Sequence, residues 1–391
     1  MIKRTFFTGL RCSSCSRSFP PGEIQTYCPD CVRPLVAEYD LDAARAALSR
    51  DDIGRREGTL WRYRELLPVF EDRFIFPLGE GWTPILHARA LGDQLGMPSI
   101  YIKDEGRNPT GSFKARGLAV AVAKAAELGI RETSMPSAGN AGGALAAYAA
   151  RAGIRAHIFV PEDTPIVNKR EVLCYGADVV TVAGNISDAA KAMQEARRGK
   201  DWFDLSTMKE PYRLEGKKTM GYEIAEQFGW ELPDVIVYPT GGGTGLIGMW
   251  KAFGELEKLG WIGRERPRMI SVQASGCAPI VKAHKAGNKV SEFWNDAATL
   301  ASGLRVPKAF ADTMILNAIA ESGGTAVAVT DEEILADMNL AATCEGIFVC
   351  PEGAASVSAL RRLKGLGVVS EKDRVVLFNT GSGYKYLELY T

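Results

Sequence analysis

The chain of 391 residues lacks an excess of charge of either sign, because 47 lysines and arginines balance 47 aspartates and glutamates. A balanced charge gives no long-range attraction for nucleic acid or for an anionic membrane, so we expect neither as a partner. No apolar run is long enough to cross a bilayer. The first residues, MIKRTFF, contain too few apolar positions for a secretory signal, and we therefore expect a cytoplasmic protein.

Histidine is also scarce, and the three histidines show no spacing typical of a metal site. Cysteines are instead clustered near the start of the chain. Cys12 and Cys15 form one CxxC pair, and Cys28 and Cys31 form another. Two such pairs can close a tetrahedral zinc site. The 12-residue span between them is a little shorter than usual, so the pattern predicts a zinc-ribbon-like or knuckle segment over residues 1–40. A lost zinc site, or pairs that oxidise, is the alternative.

The remainder of the chain alternates between apolar, β-branched runs and helical runs. This alternation predicts an α/β fold with parallel sheets covered by helices, and ligands at the carboxyl ends of the strands. The predicted strands lie around Tyr101 and at 157–161, 178–182, 234–238, 269–273, 325–329 and 374–378. The predicted helices include 118–128, 141–152, 186–197, 245–259, 331–343 and 354–366.

The junction Asn108–Gly117, with the sequence NPTGSFKARG, follows a predicted strand and precedes a predicted helix. Lys114 therefore lies in the first turn of a helix. The positive end of the helix dipole disfavours an ammonium group there and should lower the lysine pKa. A lysine with a lowered pKa is a nucleophile that forms Schiff bases. A surface lysine beside a turn is the alternative.

Three further strand-to-helix loops have unusual composition. The loop 137–143, SAGNAGG, offers small residues and a helix N-terminus for a carboxylate, and Asn140 can donate from its amide. A tight turn alone would also explain its glycines. The loop 379–383, NTGSG, follows the last predicted strand and presents two hydroxyl groups among glycines.

The loop 239–245, PTGGGTG, lets consecutive backbone amides converge on a phosphate in front of a helix. It also matches GxGxxG, which leaves a nicotinamide-dependent oxidoreductase as an alternative. The next predicted strand ends without an acid for a ribose, which favours a single phosphate. Pyridoxal phosphate carrying an amino acid requires a lysine, a phosphate site, a carboxylate site and a group at the ring nitrogen, and the four loops together offer these.

At these motifs the sequence resembles the tryptophan-synthase-β, or fold type II, family of pyridoxal-phosphate enzymes. The resemblance implies a two-lobed α/β fold with the cofactor between the lobes. It places a large lobe at 41–117 and 213–391 and a smaller inserted lobe at 118–212. Lys114 would carry the cofactor and act as the acid–base group. The cofactor-binding residues would include Phe113, Asn140, the loop residues Gly241, Gly242, Gly243 and Thr244, and Thr380 at the ring nitrogen.

Within the family the motifs are most similar to those of the threonine synthases. This likeness implies conversion of O-phosphohomoserine and water to threonine and phosphate, with Arg213 on the substrate phosphate. Ser137, Asn140 and Ala141 would hold the substrate carboxylate, and a homodimer is expected. Ala115 and the segment 206–208 depart from the threonine-synthase pattern on the expected substrate side. The alternative is a threonine or serine ammonia-lyase, or a β-replacement enzyme similar to cysteate synthase.

Overall fold

The computed structural model describes residues 5–390, so the expectation about the first seven residues falls partly outside the described chain. The strands are β1 Phe7–Cys12, β2 Ser18–Phe19, β3 Leu35–Tyr39, β4 Ile85–His87, β5 Ile100–Asp104, β6 Glu132–Pro136, β7 Arg155–Pro161, β8 Asp178–Val182, β9 Phe203–Asp204, β10 Val235–Pro239, β11 Arg268–Ala274, β12 Thr325–Val329 and β13 Val375–Asn379. The helices are α1 Leu41–Ala47, α2 Arg50–Gly54, α3 Arg89–Leu95, α4 Lys114–Glu127, α5 Asn140–Ala152, α6 Ile166–Cys174, α7 Ile186–Ala196, α8 Tyr212–Gln227, α9 Thr244–Lys258, α10 Pro279–Lys285, α11 Asp312–Glu321, α12 Asp331–Glu345 and α13 Pro351–Gly365. None of the helices in this described part is long and apolar enough to span a membrane.

The predicted α/β alternation is confirmed, and each predicted strand and helix appears within a few residues of its expected bounds. The sequence reading missed strand β6. Its residues, ETSMP, are mostly polar, although Thr133, Ser134 and Met135 are all buried. A strand in the middle of a parallel sheet is covered on both faces, so its two neighbours, not its own composition, account for its position.

The described chain divides into two compact units. Unit 1 comprises the described residues up to Trp82, then Asn108–Thr110 and Lys114–Thr219, and unit 2 comprises Thr83–Arg107, Gly111–Phe113 and the residues from Met220 onward. Residues 41–82 therefore group with the sheet of unit 1, because Leu60 and Leu67 pack against Val120 of α4. The predicted division into a large lobe at 41–117 and 213–391 and a smaller lobe at 118–212 stays a prediction.

Unit 1 contains a parallel sheet in the order β8-β7-β6-β9 and an antiparallel N-terminal sheet in the order β2-β1-β3. One hydrophobic core includes residues of both sheets, among them Leu10 of β1, Ile158 of β7 and Leu145 of α5. Small alanine side chains on α4 and α5 let these helices approach each other closely. Strands β6 and β9 are parallel neighbours, so their carboxyl ends lie at the same edge of the sheet. Helices α5 and α8 follow these two strands along the chain.

Unit 2 contains a six-stranded sheet in the order β12-β11-β10-β13-β5-β4, in which only the edge strand β4 runs antiparallel to its neighbour. Its core includes Val237, Val272 and Leu377, against which α13 packs. Lys103 of β5 is fully buried and forms a 2.9 Å ion pair with Glu223 of α8. The three central strands β10, β11 and β13 are parallel, so the loops after β10 and β13 emerge at the same edge.

Candidate active site

In unit 2, the segment Gly111–Phe113 pairs with the loop after β13. The Phe113 N–H donates a 3.0 Å hydrogen bond to the Thr380 carbonyl oxygen, and the Ser382 N–H donates a 2.8 Å bond to the Gly111 carbonyl oxygen. Ser112 forms an antiparallel bridge with Gly381 between them. The Phe113 ring also contacts the ring of Tyr238 edge to face, at 6.2 Å between centroids. Two of the loops predicted from the sequence therefore lie together.

The glycine loop Gly241–Thr244 connects β10 to the 15-residue helix α9. A Cβ at Gly241 would overlap the carbonyl oxygen of Gly303, and one at Gly243 would overlap the side chain of Ile315. Gly243 caps α9 with a φ of 77°, in the left-handed region that favours glycine. Only Gly242 of the three is partly exposed. The first N–H groups of α9 have no carbonyl partner within the helix, so the loop fits a phosphate.

Thr380 is buried beside Cys350 and Glu352, which are not among the site residues predicted from the sequence. Its Oγ1 lies 3.7 Å from the Sγ of Cys350, and the Cys350 N–H donates a 3.2 Å hydrogen bond to Oδ1 of Asn379. Burial raises the pKa of the Cys350 thiol well above its usual value. Glu352 is also buried, and its Oε1 accepts a 2.7 Å hydrogen bond from the Gly303 N–H. Cys350 opens α13 and Glu352 lies in its first turn, which is a signal that helix-start composition could have supplied.

Lys114 is the first residue of α4, as predicted, and this helix belongs to unit 1. Helix α4 crosses the start of α8 at two glycines. A Cβ on Gly117 would lie 3.0 Å from the Arg213 carbonyl oxygen, and one on Gly216 would overlap the Arg116 carbonyl oxygen. These glycines are the third residues after Lys114 and Arg213. The crossing therefore holds the amino ends of both helices at backbone contact distance.

The loop after β6 turns on the hydroxyl of Ser137. Its Oγ accepts hydrogen bonds from the Gly142 N–H at 2.9 Å and the Gly139 N–H at 3.3 Å. It can donate in return to the Gly139 carbonyl oxygen at 3.0 Å. Ser137 thus organises the start of α5, while Asn140 and Ala141 remain partly exposed. The loop keeps its N–H-rich surface open to a carboxylate.

Arg213 is buried at the start of α8 with 1% of its surface exposed. Its Nη1 donates a 2.7 Å hydrogen bond to the Leu205 carbonyl oxygen and lies 3.5 Å from the Sδ of Met135. Its Nε has no hydrogen-bond partner, and within residues 5–390 no carboxylate lies within 4.0 Å of the guanidinium. Burial lowers the Arg213 pKa, while the charges of Glu210 and Asp204 oppose that effect. A buried cation without an anion at ion-pairing distance is costly, so the chemistry of this position fits an anionic ligand.

Ala115, one of the departures from the threonine-synthase pattern, has no exposed surface. It lies in the hydrophobic core of unit 1, which also contains Leu118 on the next turn of α4 and apolar residues of the sheet. Ser206 also has a local role, since its N–H donates a 2.9 Å hydrogen bond to Oδ1 of Asp204. Neither residue therefore argues against a phosphorylated substrate.

The four cysteines of the N-terminal segment converge, and their Sγ atoms all lie within 4.8 Å of one another. The Sγ atoms of Cys12 and Cys31 are 3.3 Å apart, and those of Cys15 and Cys28 are 3.6 Å apart. Tetrahedral zinc thiolates place their sulfurs about 3.8 Å apart, so the group fits one zinc ion.

Both CxxC turns of this segment have the same backbone form. The Cys12 N–H donates to the Arg17 carbonyl oxygen at 2.8 Å, and the Cys28 N–H donates to the Arg33 carbonyl oxygen at 2.9 Å. The residue after each second cysteine is left-handed, including the β-branched Val32 with a φ of 51°. That conformation is rare for valine and indicates a turn imposed by the geometry of the cysteines.

Comparison with known proteins defines the class. The chain belongs to the pyridoxal-phosphate-dependent enzymes, because the family model described as "Pyridoxal-phosphate dependent enzyme" matches residues 76–381. Its relatives include the threonine synthase of Methanocaldococcus jannaschii, which is 38% identical over 96% of this chain and 92% of its own length. The threonine synthase of Methanosarcina acetivorans is also 38% identical, over 95% of this chain and 91% of its own length.

Solved structures of the same fold include maize serine racemase, with a TM-score of 0.66 and 22% identity over 78% of this chain and 92% of that chain. Threonine deaminase isoform 2 of Solanum lycopersicum has the same TM-score and identity, over 78% of this chain and 86% of that chain. These structures confirm the predicted fold type II architecture.

Proposed function

We propose that this protein catalyses the threonine synthase reaction, in which O-phosphohomoserine and water give threonine and inorganic phosphate. The relatives that are threonine synthases, matching 95% and 96% of the chain, support this reaction. The observation that carries the proposal is Arg213, whose guanidinium is buried at the start of a 16-residue helix and has no carboxylate partner among the described residues. It offers an anion site separate from the glycine loop Gly241–Gly243. A phosphorylated amino acid bound with pyridoxal phosphate requires two phosphate sites.

The proposed cofactor residues come from the loops described above. Pyridoxal phosphate, when bound, withdraws electrons from the Cα of the amino acid. We assign its aldehyde to Lys114, its phosphate to the loop Gly241–Thr244 and its ring nitrogen to the hydroxyl of Thr380. Asn140 is assigned to the phenolic oxygen, and Phe113 contributes to the cofactor pocket. A hydroxyl does not hold the ring nitrogen protonated as a carboxylate would, which favours elimination over transamination.

The substrate chemistry is assigned to two charged side chains. Lys114 Nζ is the base that removes the proton from Cα. Cβ also loses one proton, and Cα and Cγ then each receive one. Phosphate leaves Cγ with the electron pair of the C–O bond, and Arg213 binds the charge that develops on it. Water adds its oxygen at Cβ. The Ser137 loop, through the backbone N–H groups of Asn140 and Ala141, holds the substrate carboxylate.

The second candidate is a reaction on an unphosphorylated amino acid. It would be a threonine or serine ammonia-lyase, or a β-replacement enzyme similar to cysteate synthase. The buried Glu210 beside Arg213 favours it, because an ionised carboxylate there would repel a substrate phosphate. The threonine deaminase from Solanum lycopersicum also shares the fold.

The deciding assay offers the purified holoenzyme O-phosphohomoserine, phosphoserine, serine and threonine in parallel. We expect equal amounts of phosphate and threonine from O-phosphohomoserine. We also expect Arg213→Gln to raise the KM for this substrate about 100-fold, the range for a truncated charged contact. The exposed Arg198→Gln is the matched control and should leave KM unchanged. Keto acid from threonine, without turnover of O-phosphohomoserine, would replace this proposal with the ammonia-lyase.

We also propose that Cys12, Cys15, Cys28 and Cys31 bind one structural zinc ion. The convergence of their Sγ atoms supports it. Metal analysis should find one zinc per chain, and Cys12→Ser should lose it and lower the melting temperature. Cys174→Ser, at an exposed cysteine far along the chain, is the control. Metal-free protein of unchanged stability would contradict the assignment.

We propose a cytoplasmic homodimer with an amino-acid substrate and without a nucleic-acid partner. All eight cysteines are free, as is usual in a reducing compartment. Twofold dimers are the commonest homo-oligomers among soluble proteins. Light scattering of the purified protein would test the dimer, and a monomer at micromolar concentration would refute it.

A further inference from the structure

Glu210 is a buried acid that the reaction outlined above does not use. It has 1% of its surface exposed and lies two residues before α8. Its Oε2 accepts hydrogen bonds from the N–H groups of Tyr212, at 2.7 Å, and Arg213, at 3.0 Å. The carboxyl group therefore occupies the anion-binding end of this helix. Its Oε1 is buried without a hydrogen-bond partner in the described chain.

Arg213 and Glu210 are close enough to influence each other electrostatically, yet they form no ion pair within 4.0 Å. Two further polar atoms nearby, Nε of Arg213 and the hydroxyl of Tyr212, are buried and also lack partners in residues 5–390. Three orphaned polar atoms at one helix start are unusual, because buried polar groups are nearly always paired. The arrangement points to a ligand that completes it.

The charges around Glu210 come from two elements. Arg213 of α8 favours its ionised form, whereas Asp204 of β9 disfavours it, and Tyr212 is the titratable phenol beside it. Asp204 is itself engaged by Ser206 and by Nε2 of Gln194 at 2.8 Å. Burial is the largest influence and raises the Glu210 pKa to about 7. Glu210 can therefore change its protonation state near neutral pH.

We propose that Glu210 takes up a proton when a dianionic substrate phosphate binds beside Arg213, so that phosphate affinity falls as pH rises. This inference rests on the proposed function, because it concerns the same substrate phosphate. A carboxylate and a phosphate dianion cannot share one buried cation without strong repulsion. The neutral carboxyl group keeps the Oε2 acceptor for the helix N–H groups. Its new O–H on Oε1 can donate to a phosphate oxygen.

The first test measures protons directly. Sulfate stays a dianion above pH 5, so it reports on the site without titrating itself, and in the holoenzyme the cofactor phosphate already occupies the glycine loop. Calorimetric titration with sulfate at pH 8 in two buffers of different ionisation enthalpy gives the protons taken up. We expect close to one proton per site for the wild type and none for Glu210→Gln. No uptake by the wild type, or equal uptake by both, would overturn the proposal.

The second test uses the substrate. Between pH 7.5 and 8.5, where O-phosphohomoserine is already a dianion, we expect the wild-type KM to rise about tenfold per pH unit, as one-proton linkage requires. Glu210→Gln should flatten this dependence, while Glu195→Gln, at an exposed position of α7, should retain it. A steep KM in Glu210→Gln would overturn the proposal while leaving the reaction itself intact. The absence of any turnover would instead defeat the proposed function, and the sulfate titration would still decide the role of Glu210.

Discussion

The backbone N–H of Phe113 donates a 3.0 Å hydrogen bond to the carbonyl oxygen of Thr380. This bond fixes the main chain immediately before Lys114 to the loop whose hydroxyl we assign to the cofactor ring. Neither partner uses its side chain in the bond. Within unit 2 the bond joins the residue before the proposed cofactor lysine to the loop of the proposed ring-nitrogen ligand, and side-chain substitutions can be tested without disturbing it.

Lys114→Ala should remove the covalent cofactor and keep the fold, since alanine continues α4 and the Phe113–Thr380 bond is unaffected. We expect activity to fall at least about 1,000-fold. Borohydride reduction followed by peptide mass analysis measures the attachment. Lys191→Ala, at an exposed lysine of α7, is the control. A reduced cofactor adduct on another lysine of the Lys114→Ala protein would contradict the assignment.

Gly241→Ala should weaken cofactor binding, because its Cβ would overlap the Gly303 carbonyl oxygen and displace the phosphate loop. Overpacking of about 1–3 kcal/mol corresponds to a dissociation constant roughly 10-fold to 100-fold higher. Equilibrium dialysis of pyridoxal phosphate measures this constant. Gly263→Ala is the matched control, since nothing lies within 4 Å of its Cβ position and its φ is not positive. Equal affinity in both variants would argue against a phosphate at this loop.

Gly216→Ala should destabilise unit 1, because its Cβ would overlap the Arg116 carbonyl oxygen at the crossing of α4 and α8. We expect the free energy of unfolding to fall by about 1–3 kcal/mol in urea titrations. Gly365→Ala, at a helical glycine of α13 with open space around it, should be neutral or slightly stabilising. A Gly216→Ala protein as stable as the wild type would show that the helices can separate without cost.

Glu210→Gln should stabilise the protein at alkaline pH. Burial raises the Glu210 pKa to about 7, so the neutral carboxyl group is favoured in the folded state. The contribution of this neutral carboxyl group to the free energy of unfolding is fully present below the pKa of glutamate in the unfolded chain, about 4.3. It is lost as pH rises towards 7. The wild type should therefore lose up to roughly 3 kcal/mol relative to Glu210→Gln between pH 4.5 and 7.5. Urea titrations at these two pH values measure the difference, and parallel pH profiles would contradict it.

Sequence reasoning selected the loops that we propose for the cofactor because each one is a local signal: a strand, a glycine-rich turn and the start of a helix. It failed where tertiary neighbours decide. Glu80 lies in the run GEGWTP, whose composition is typical of a turn, yet it is fully buried, and it accepts 2.7 Å hydrogen bonds from Trp61 and Tyr148. Neither partner is near it in the sequence, so local composition could not predict the burial.

Glu210 illustrates a different limit. An acid just before a helix, here in the run EPYR, is a recognisable capping signal. The signal predicts a helix start and nothing about burial. The depth of Glu210 depends on β9 and on the guanidinium of Arg213, whose position follows from the crossing of α4 with α8. The burial of Ala115 has a comparable cause, since the face that α4 buries depends on the sheet of unit 1.

The glycine crossing of α4 and α8 fixes the distance between the starts of these two helices. Lys114 and Arg213 each lie one helical turn before it, so the separation between the proposed base and the proposed phosphate site depends on two backbones in contact. No side chain at Gly117 or Gly216 can be enlarged or trimmed to adjust that separation. A substrate one methylene longer or shorter than the one that fits would have to be accommodated by the loops. If Lys114 and Arg213 have the proposed roles, the closest distance that two helices can reach limits the length of the substrate.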